Sequence, residues 1–273
     1  MESIRARVGS DWWAARGRMP LFYAVAIAFL AFLVFAFLEP MQFVVRAWLP
    51  GYGAPTHRVH HVMIGGLLAL LVLSVGVQLY RPAARVGAFL LGGTIIASLA
   101  VVTVVAEGLA GLGEIAIFVV PMIVLAALHP AVGAFRPRWT DLDRRLVVLA
   151  VVAAIPLLVY AALQLNLHLT LADEHVAFDH YVLMAAGAIT IGVSALIASA
   201  KPAGWRALAY GAVGLLGIVA IASIAFPDPA QGVNFGLIGG LVAVIWALAY
   251  LLVAEDRIQH RRVFQRSDES TVR

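Results

Sequence analysis

Six of the eight histidines fall into two short segments, and this clustering is the main chemical signal in the sequence. The first set is His57, His60 and His61, and the second is His168, His175 and His180. In a helix that begins near Thr56, His57 and His61 stand four residues apart on one face, a spacing that lets two imidazoles share a metal ion. The first segment therefore supplies a pair of candidate ligands.

Carboxylates accompany both histidine segments. Asp179 stands four residues after His175, and Glu114 is the one charged residue inside any long apolar run. A carboxylate inside an apolar run is a functional candidate. Glu114 could also extend its side chain to the membrane surface or cap its helix. Histidines mixed with carboxylates favour Zn²⁺, Cu²⁺ or non-haem iron. The predicted metal ligands are His57, His60, His61, His175, His180, Asp179 and Glu114.

Four interpretations of these histidines are open. The side chains hold a metal ion, bind a b-type haem, sense or relay protons, or are simply solvated. Cysteine is absent, which excludes thiolate metal sites, iron–sulfur clusters and covalent haem attachment. The sequence also lacks a Walker loop, a dinucleotide fingerprint, a nucleophile elbow and an HExxH motif. His129 and His260 have no neighbouring ligands in sequence, so we expect them to be solvated.

The elements that must position these residues are transmembrane helices. The chain is 63% hydrophobic and only 12% charged, whereas soluble domains carry about 25% charged residues. Eight apolar runs of 18 to 21 residues cover 21–38, 62–80, 86–106, 111–128, 146–163, 181–200, 207–226 and 233–253. Each is long enough to cross a bilayer core about 30 Å thick as a helix. We therefore predict an all-α, polytopic membrane bundle with about eight transmembrane helices.

Basic residues give this bundle an orientation. With the amino terminus inside, 17 of the 19 Lys and Arg residues fall in cytoplasmic segments, and only Arg46 and Arg58 lie outside. The positive-inside rule thus predicts a cytoplasmic (inner) membrane protein with both termini in the cytoplasm. Because topology already explains the net charge of +4, the expected partner is the lipid bilayer and not nucleic acid. A membrane-complex partner or a second copy of the chain is left open.

A weak internal repeat divides the chain. Shifting the sequence by 120 residues places His60 over His180, Arg81-Pro82 over Lys201-Pro202, and Glu114 over Asn234. We expect two parallel four-helix halves, 21–128 and 146–253, related by an axis near the membrane normal. Residues 1–20 precede them as a cytoplasmic or interfacial segment, 129–145 form a cytoplasmic loop, and 254–273 form a cytoplasmic tail.

Parallel four-helix halves that carry histidine pairs resemble the haem A synthase and dihaem cytochrome b bundles in architecture. Those bundles place ligands on several helices of each half. Here the third, fourth, seventh and eighth runs contain no histidine before His129, at the end of the fourth. The resemblance implies b-type haem as a cofactor to test, without membership of that family.

Three functions follow from these features as hypotheses. The histidine cluster favours a metal- or haem-binding oxidoreductase or another metal-dependent membrane enzyme. The repeat, Pro121, Pro156 and Glu114 favour a transporter of a small molecule or ion, although the middles of the runs lack charges. A noncatalytic subunit of a membrane complex requires only the eight spans.

Overall fold

The structure, a computed structural model, describes residues 2–135, 142–227 and 235–271. These residues form helices and turns with no strand among them, which confirms the predicted all-α class. The helices are α1 Glu2–Arg46, α2 Arg58–Gly76, α3 Val86–Glu107, α4 Leu112–Leu128, α5 Arg144–Thr170, α6 Glu174–Ala177, α7 His180–Ala198, α8 Arg206–Ala225 and α9 Gly236–Thr271. Each helix except α6 contains most of one predicted apolar run, and α1, α5 and α9 extend well beyond theirs.

Seven stretches within the described ranges are long and apolar enough to cross a membrane. One of them, Val86–Leu128, is 43 residues long and contains both α3 and α4. A turn at Gly108–Gly111 separates these helices, and the ring of His129 after α4 packs 5.0 Å from Phe89 at the start of α3. Because α4 returns to the level at which α3 began, the described residues form eight apolar helices, consistent with a helical membrane bundle.

Consecutive long helices run in opposite directions. The start of α5 lies beside the end of α7, since the Asp143 amide donates to the Ser199 carbonyl over 3.0 Å. The starts of α2 and α7 meet at the opposite end of the bundle, which we call the histidine end. The other end, the arginine end, carries Arg81, Arg85, Arg144, Arg145, Lys201 and Arg206.

Four helices occupy the centre of the bundle and four surround them. α2 and α3 contact α7 and α8 in every combination, whereas α1, α4, α5 and α9 lie at the periphery. Small side chains permit close approach at the centre: a Cβ at Gly187 of α7 would lie only 2.6 Å from the sulfur of Met63 on α2. The packing therefore brings the start of α2 against the start of α7.

The contacts within the first four helices have counterparts within the last four. In the first set, α1 contacts α2, α2 contacts α3, α3 contacts α4, and α4 contacts α1. In the second set, α5 contacts α7, α7 contacts α8, α8 contacts α9, and α9 contacts α5. The short α6, which carries His175, precedes α7 as the turn Pro55–His57 precedes α2.

Two left-handed residues turn the chain at the arginine end. Arg81 (φ 51°) and Lys201 (φ 47°) each precede a proline, and both adopt the conformation that non-glycine residues rarely enter. The two turns contact each other, because the Gly87 amide donates to the Ala203 carbonyl over 2.7 Å. A Cβ at Gly87 would meet the Gly204 carbonyl and lie 2.8 Å from the Trp205 nitrogen, so the approach requires glycine.

His129 is buried, and the expectation that it is solvated was wrong. Only 2% of it is exposed, and its ring packs against Phe22 and Phe135. Its Nδ1 accepts from the Ala131 amide (3.1 Å), and its Nε2 lies 3.3 Å from the Gln78 side-chain oxygen. Burial lowers the pKa of His129 to about 4. His260 belongs to the part of α9 whose side chains lie outside the described residues.

Candidate metal centre

Five histidines from the two sequence segments converge at the histidine end. They are His57, His60, His61, His175 and His180. Ring centroids lie 4.4 Å apart for His57 and His175, 5.2 Å for His60 and His180, and 5.1 Å for His61 and His180. The predicted convergence of the two segments is therefore present in the fold, and we call these five residues the histidine cluster.

The local folding of the two segments explains the convergence. His57 ends a short turn that opens with Pro55, and His60 and His61 occupy the first turn of α2. His180 begins α7, while His175 lies on α6, a single turn that leads back to α7 through left-handed Asp179. Contact between α2 and α7 then places all five rings at one depth.

His60 lies at the centre of the cluster without a hydrogen-bond partner. Its exposed fraction is 0%, and neither Nδ1 nor Nε2 has a hydrogen-bond partner. Buried polar atoms are almost always hydrogen-bonded, because an unmet bond costs about 1–3 kcal/mol. His57 Nε2, His175 Nε2 and His180 Nδ1 are also buried without a hydrogen bond. This concentration of unpartnered imidazole nitrogens is the arrangement that a bound cation would satisfy.

Three of these residues form the tightest group. His57, His175 and His180 each offer a ligand atom, and the three atoms lie within 4.8 Å of one another. An ion about 2 Å from each nitrogen fits between atoms at this separation after small side-chain adjustments. Three imidazoles leave a fourth position for water or substrate, as in catalytic zinc sites.

Asp173 orients His175. The Asp173 carboxylate accepts from Nδ1 of His175 over 3.3 Å, which leaves the Nε2 lone pair directed at the other imidazoles. The same carboxylate caps α6 by accepting from the Val176 amide (3.1 Å) and also accepts from the Tyr181 hydroxyl (2.9 Å). Burial raises the pKa of Asp173, but the hydrogen bonds from Tyr181 and Val176 outweigh it and hold the pKa below its ordinary value.

Glu174 lies beside His57. Its Oε1 is 3.4 Å from His57 Nε2, without the geometry of a hydrogen bond. The Glu174 side chain is 61% exposed, so it connects the buried nitrogens to solvent. From this position the carboxylate can accept a proton or provide an oxygen ligand to an ion held by His57.

His61 is held by aromatic neighbours. The Tyr52 hydroxyl hydrogen-bonds to its Nδ1, and the ring of Phe43 stacks on it at 4.3 Å. Burial raises the pKa of Tyr52, whereas Arg58 and Arg46 oppose that shift. His61 does not belong to the group of three ligand atoms within 4.8 Å of one another, so we place it at the edge of the cluster.

Glu114 and Asp179, predicted as the nearest carboxylates, occupy a different place. They line an adjoining cavity together with Glu107, whereas the carboxylates that touch the imidazoles belong to Asp173 and Glu174. The reason is local: left-handed Asp179 (φ 55°) turns the chain between α6 and α7, so it does not share a helical face with His175. Burial raises the pKa of Asp179; His168 opposes this shift, and the Glu114 carboxylate adds to it.

Four further residues of this site were not predicted: Asp173, Glu174, Tyr52 and Tyr181. Asp is a favoured N-cap residue, so Asp173 could have been predicted to cap a helical turn that carries His175. Tyr52 carried no such signal, because its contact with His61 depends on the path of the loop between α1 and α2. His168 does not join the cluster's ring contacts among the described residues.

Comparison with known protein families, with curated proteins and with solved structures finds no match to this chain.

Proposed function

We propose that this protein is a membrane metalloenzyme whose histidine cluster holds a transition-metal ion at one surface of the bilayer. The observation that carries the proposal is the set of buried imidazole nitrogens without hydrogen bonds, above all those of the fully buried His60. Beside His60, three further imidazole nitrogens, from His57, His175 and His180, lie at a separation suited to one ion. A solvated cluster would instead expose them to water.

His57, His175 and His180 are the proposed ligands, with His60 as a further donor. Imidazole donors with nearby carboxylates suit Zn²⁺, Cu²⁺ or iron. Bound there, the ion would act as a Lewis acid or as a redox centre. Glu174 is the proposed proton acceptor, because its carboxylate reaches both His57 and solvent.

Elemental analysis of the purified protein tests this proposal directly. The protein in neutral detergent is expected to retain about one Zn, Cu or Fe per chain, and the His57→Ala/His61→Ala double variant is expected to lose it. A visible spectrum recorded on the same sample separates the alternatives, since a Soret band identifies b-type haem. A folded protein that binds neither metal nor haem after reconstitution contradicts the proposal.

We also propose that the two four-helix halves are a parallel repeat. Support comes from the matching helix contacts and from Arg81 and Lys201, which stand 120 residues apart and share the left-handed conformation. His60 and His180 have the same offset and meet in the cluster. In an experimental structure, residues 62–128 would superpose on 181–253; a different helix order or direction there would contradict the repeat.

The proposed orientation follows the arginines. The arginine end faces the cytoplasm and the histidine end faces outward, in a cytoplasmic membrane. The metal centre would then exchange ions, protons and substrate with the extracytoplasmic side. Glu174, exposed beside His57, is the proposed point of access.

A further inference from the structure

A cavity of about 390 Å³ opens next to the histidine cluster, between α1, α2, α3, α4 and the start of α7. Its deeper walls are apolar and come from four different helices. They include Phe37, Ile64, Leu68, Leu99 and Phe118. These side chains lie within the apolar stretches of the bundle, so the cavity reaches toward the hydrocarbon layer. Such walls accommodate an alkyl chain.

The outer end of the same cavity is acidic. Glu107, Glu114 and Asp179 line it, and none of its described lining residues is Lys or Arg. All three carboxylates are exposed at the histidine end. Opposite charge favours an occupant whose head group is cationic, and apolar walls favour one with a long hydrocarbon tail.

His180 connects this cavity to the metal centre. It forms part of the cavity wall, only 7% of it is exposed, and its Nδ1 has no hydrogen-bond partner. The same imidazole belongs to the tightest ligand group, with His57 and His175. A molecule with its head group among the three carboxylates therefore lies beside the proposed metal ligands.

We propose that this cavity is the substrate site of the metal centre and that it takes a long-chain amphiphile with a positively charged amino head group. The hydrocarbon tail lies along the wall formed by Phe37, Phe118 and Leu68, and the ammonium group lies among Glu107, Glu114 and Asp179. This inference names the substrate class of the proposed metalloenzyme and rests on that function, while binding itself requires only the cavity.

Radiolabelled hexadecylamine is the probe, and hexadecanol is its uncharged counterpart. Equilibrium binding is measured on the metal-free full-length protein in dodecyl maltoside, for the wild type and for the variant that combines Glu107→Gln, Glu114→Gln and Asp179→Asn. Exposed charge pairs contribute about 0.2–1 kcal/mol each, so the triple variant is expected to bind the amine about tenfold more weakly. Glu39→Gln is the matched control, since this exposed carboxylate lies outside the cavity lining.

The amine binding to the wild type and to Glu39→Gln, together with weak binding of hexadecanol, supports the proposal. Equal binding of amine and alcohol, an unaffected triple variant, or no saturable binding overturns it.

A Co²⁺-loaded sample then tests the neighbouring ion, because an amine beside His180 is expected to shift the visible Co²⁺ bands. If no Co²⁺ binds while the amine does, the metal function fails and the cavity assignment stands. If Co²⁺ binds while the amine does not, the metal function stands and the cavity assignment fails.

Discussion

The imidazoles of His60 and His180 lie nearly parallel, with ring centroids 5.2 Å apart and planes inclined by 28°. One belongs to the first turn of α2 and the other begins α7, 120 residues later. Each half of the bundle therefore contributes one of the two rings. The metal centre that we propose can be assembled only by both halves together.

Removing a single proposed ligand is expected to release the metal. His175→Ala or His57→Ala would weaken metal affinity by more than about 100-fold, since loss of a supporting partner alone costs about 10–100-fold. Competition with a chelator of known affinity measures the change. His168→Ala is the matched control, because His168 lies at the same end and outside the ligand group. Equal losses of metal affinity in His168→Ala and His175→Ala would contradict the assignment of His175 as a ligand.

Asp173→Asn is expected to weaken metal binding by about 10–100-fold by loosening His175. Asparagine caps helices as well as aspartate does, so the variant leaves α6 capped and changes mainly the contact with Nδ1 of His175. Tyr181→Phe removes one hydrogen bond to the same carboxylate and is expected to have a smaller effect. Chelator competition on the wild type and the two variants gives the order of their metal affinities. Unchanged affinity in Asp173→Asn would show that His175 is oriented by other contacts.

Mild acid is expected to destabilise the bundle through His129. Its pKa in the fold is about 4, below the unfolded value of about 6.5. The unfolded chain therefore takes up a proton that the fold excludes, so stability is full above about pH 6.5 and falls as the pH drops toward 4. The expected loss is about 1–3 kcal/mol. Unfolding of metal-free protein in detergent measures it, and His129→Gln should lose this part of the pH dependence; an identical pH profile contradicts the prediction.

Two glycines of α3 are expected to respond in opposite ways to alanine. Gly87→Ala would force α3 away from the turn at Gly204 and cost about 2 kcal/mol or more. Gly93→Ala would make only ordinary contact with Met122, at 3.6 Å, and is expected to stabilise the helix by about 0.5–1 kcal/mol. Thermal unfolding of both variants in one detergent compares them. Similar stability for the two would mean that the turns do not hold the close contact described above.

Reporter fusions test the orientation. A reporter after Arg273 is expected in the cytoplasm, and one inserted near Gly53, in the loop between α1 and α2, is expected outside, because the arginine imbalance sets both. Enzymatic reporters that are active on only one side of the membrane give the answer. Both reporters on the same side would contradict an even number of crossings.

Much of the fold could be predicted because lipid imposes a simple rule on the sequence: each crossing needs a long uncharged run. Even the short α4 followed from the run at 111–128, which contains only Glu114 as a charge. The meeting of His60 with His180 was also predictable, since both precede apolar runs that start at the same level. In these cases a residue's depth in the bilayer, which the sequence encodes, was enough to predict its position.

Lateral neighbours were not predictable in the same way. Asp179 was assigned to the cluster by its four-residue spacing from His175, but the left-handed turn at Asp179 ends that helix and redirects its side chain. His129 was expected in water because it has no neighbouring ligands in sequence, yet Phe22, Phe89 and Phe135 enclose it from three other segments. The position of Asp179 depends on a turn that interrupts the helix, and the burial of His129 depends on how helices pack around one another; spacing along a single helix encodes neither.

The contact between Gly87 and the turn at Ala203–Trp205 determines the order in which the protein can be built. Chains emerge from the ribosome amino terminus first, so α2 and α3 enter the membrane well before the segment that holds them exists. The Gly87 amide of α3 can donate to the Ala203 carbonyl only after Ala203 has been synthesised, more than one hundred residues later. The same delay applies to the histidine cluster. His57, His60 and His61 can contact His175 and His180 only after α6 and α7 have been synthesised. During biogenesis the first four helices therefore lack these contacts until α7 has been made, and the metal ion that we propose could bind only after that step.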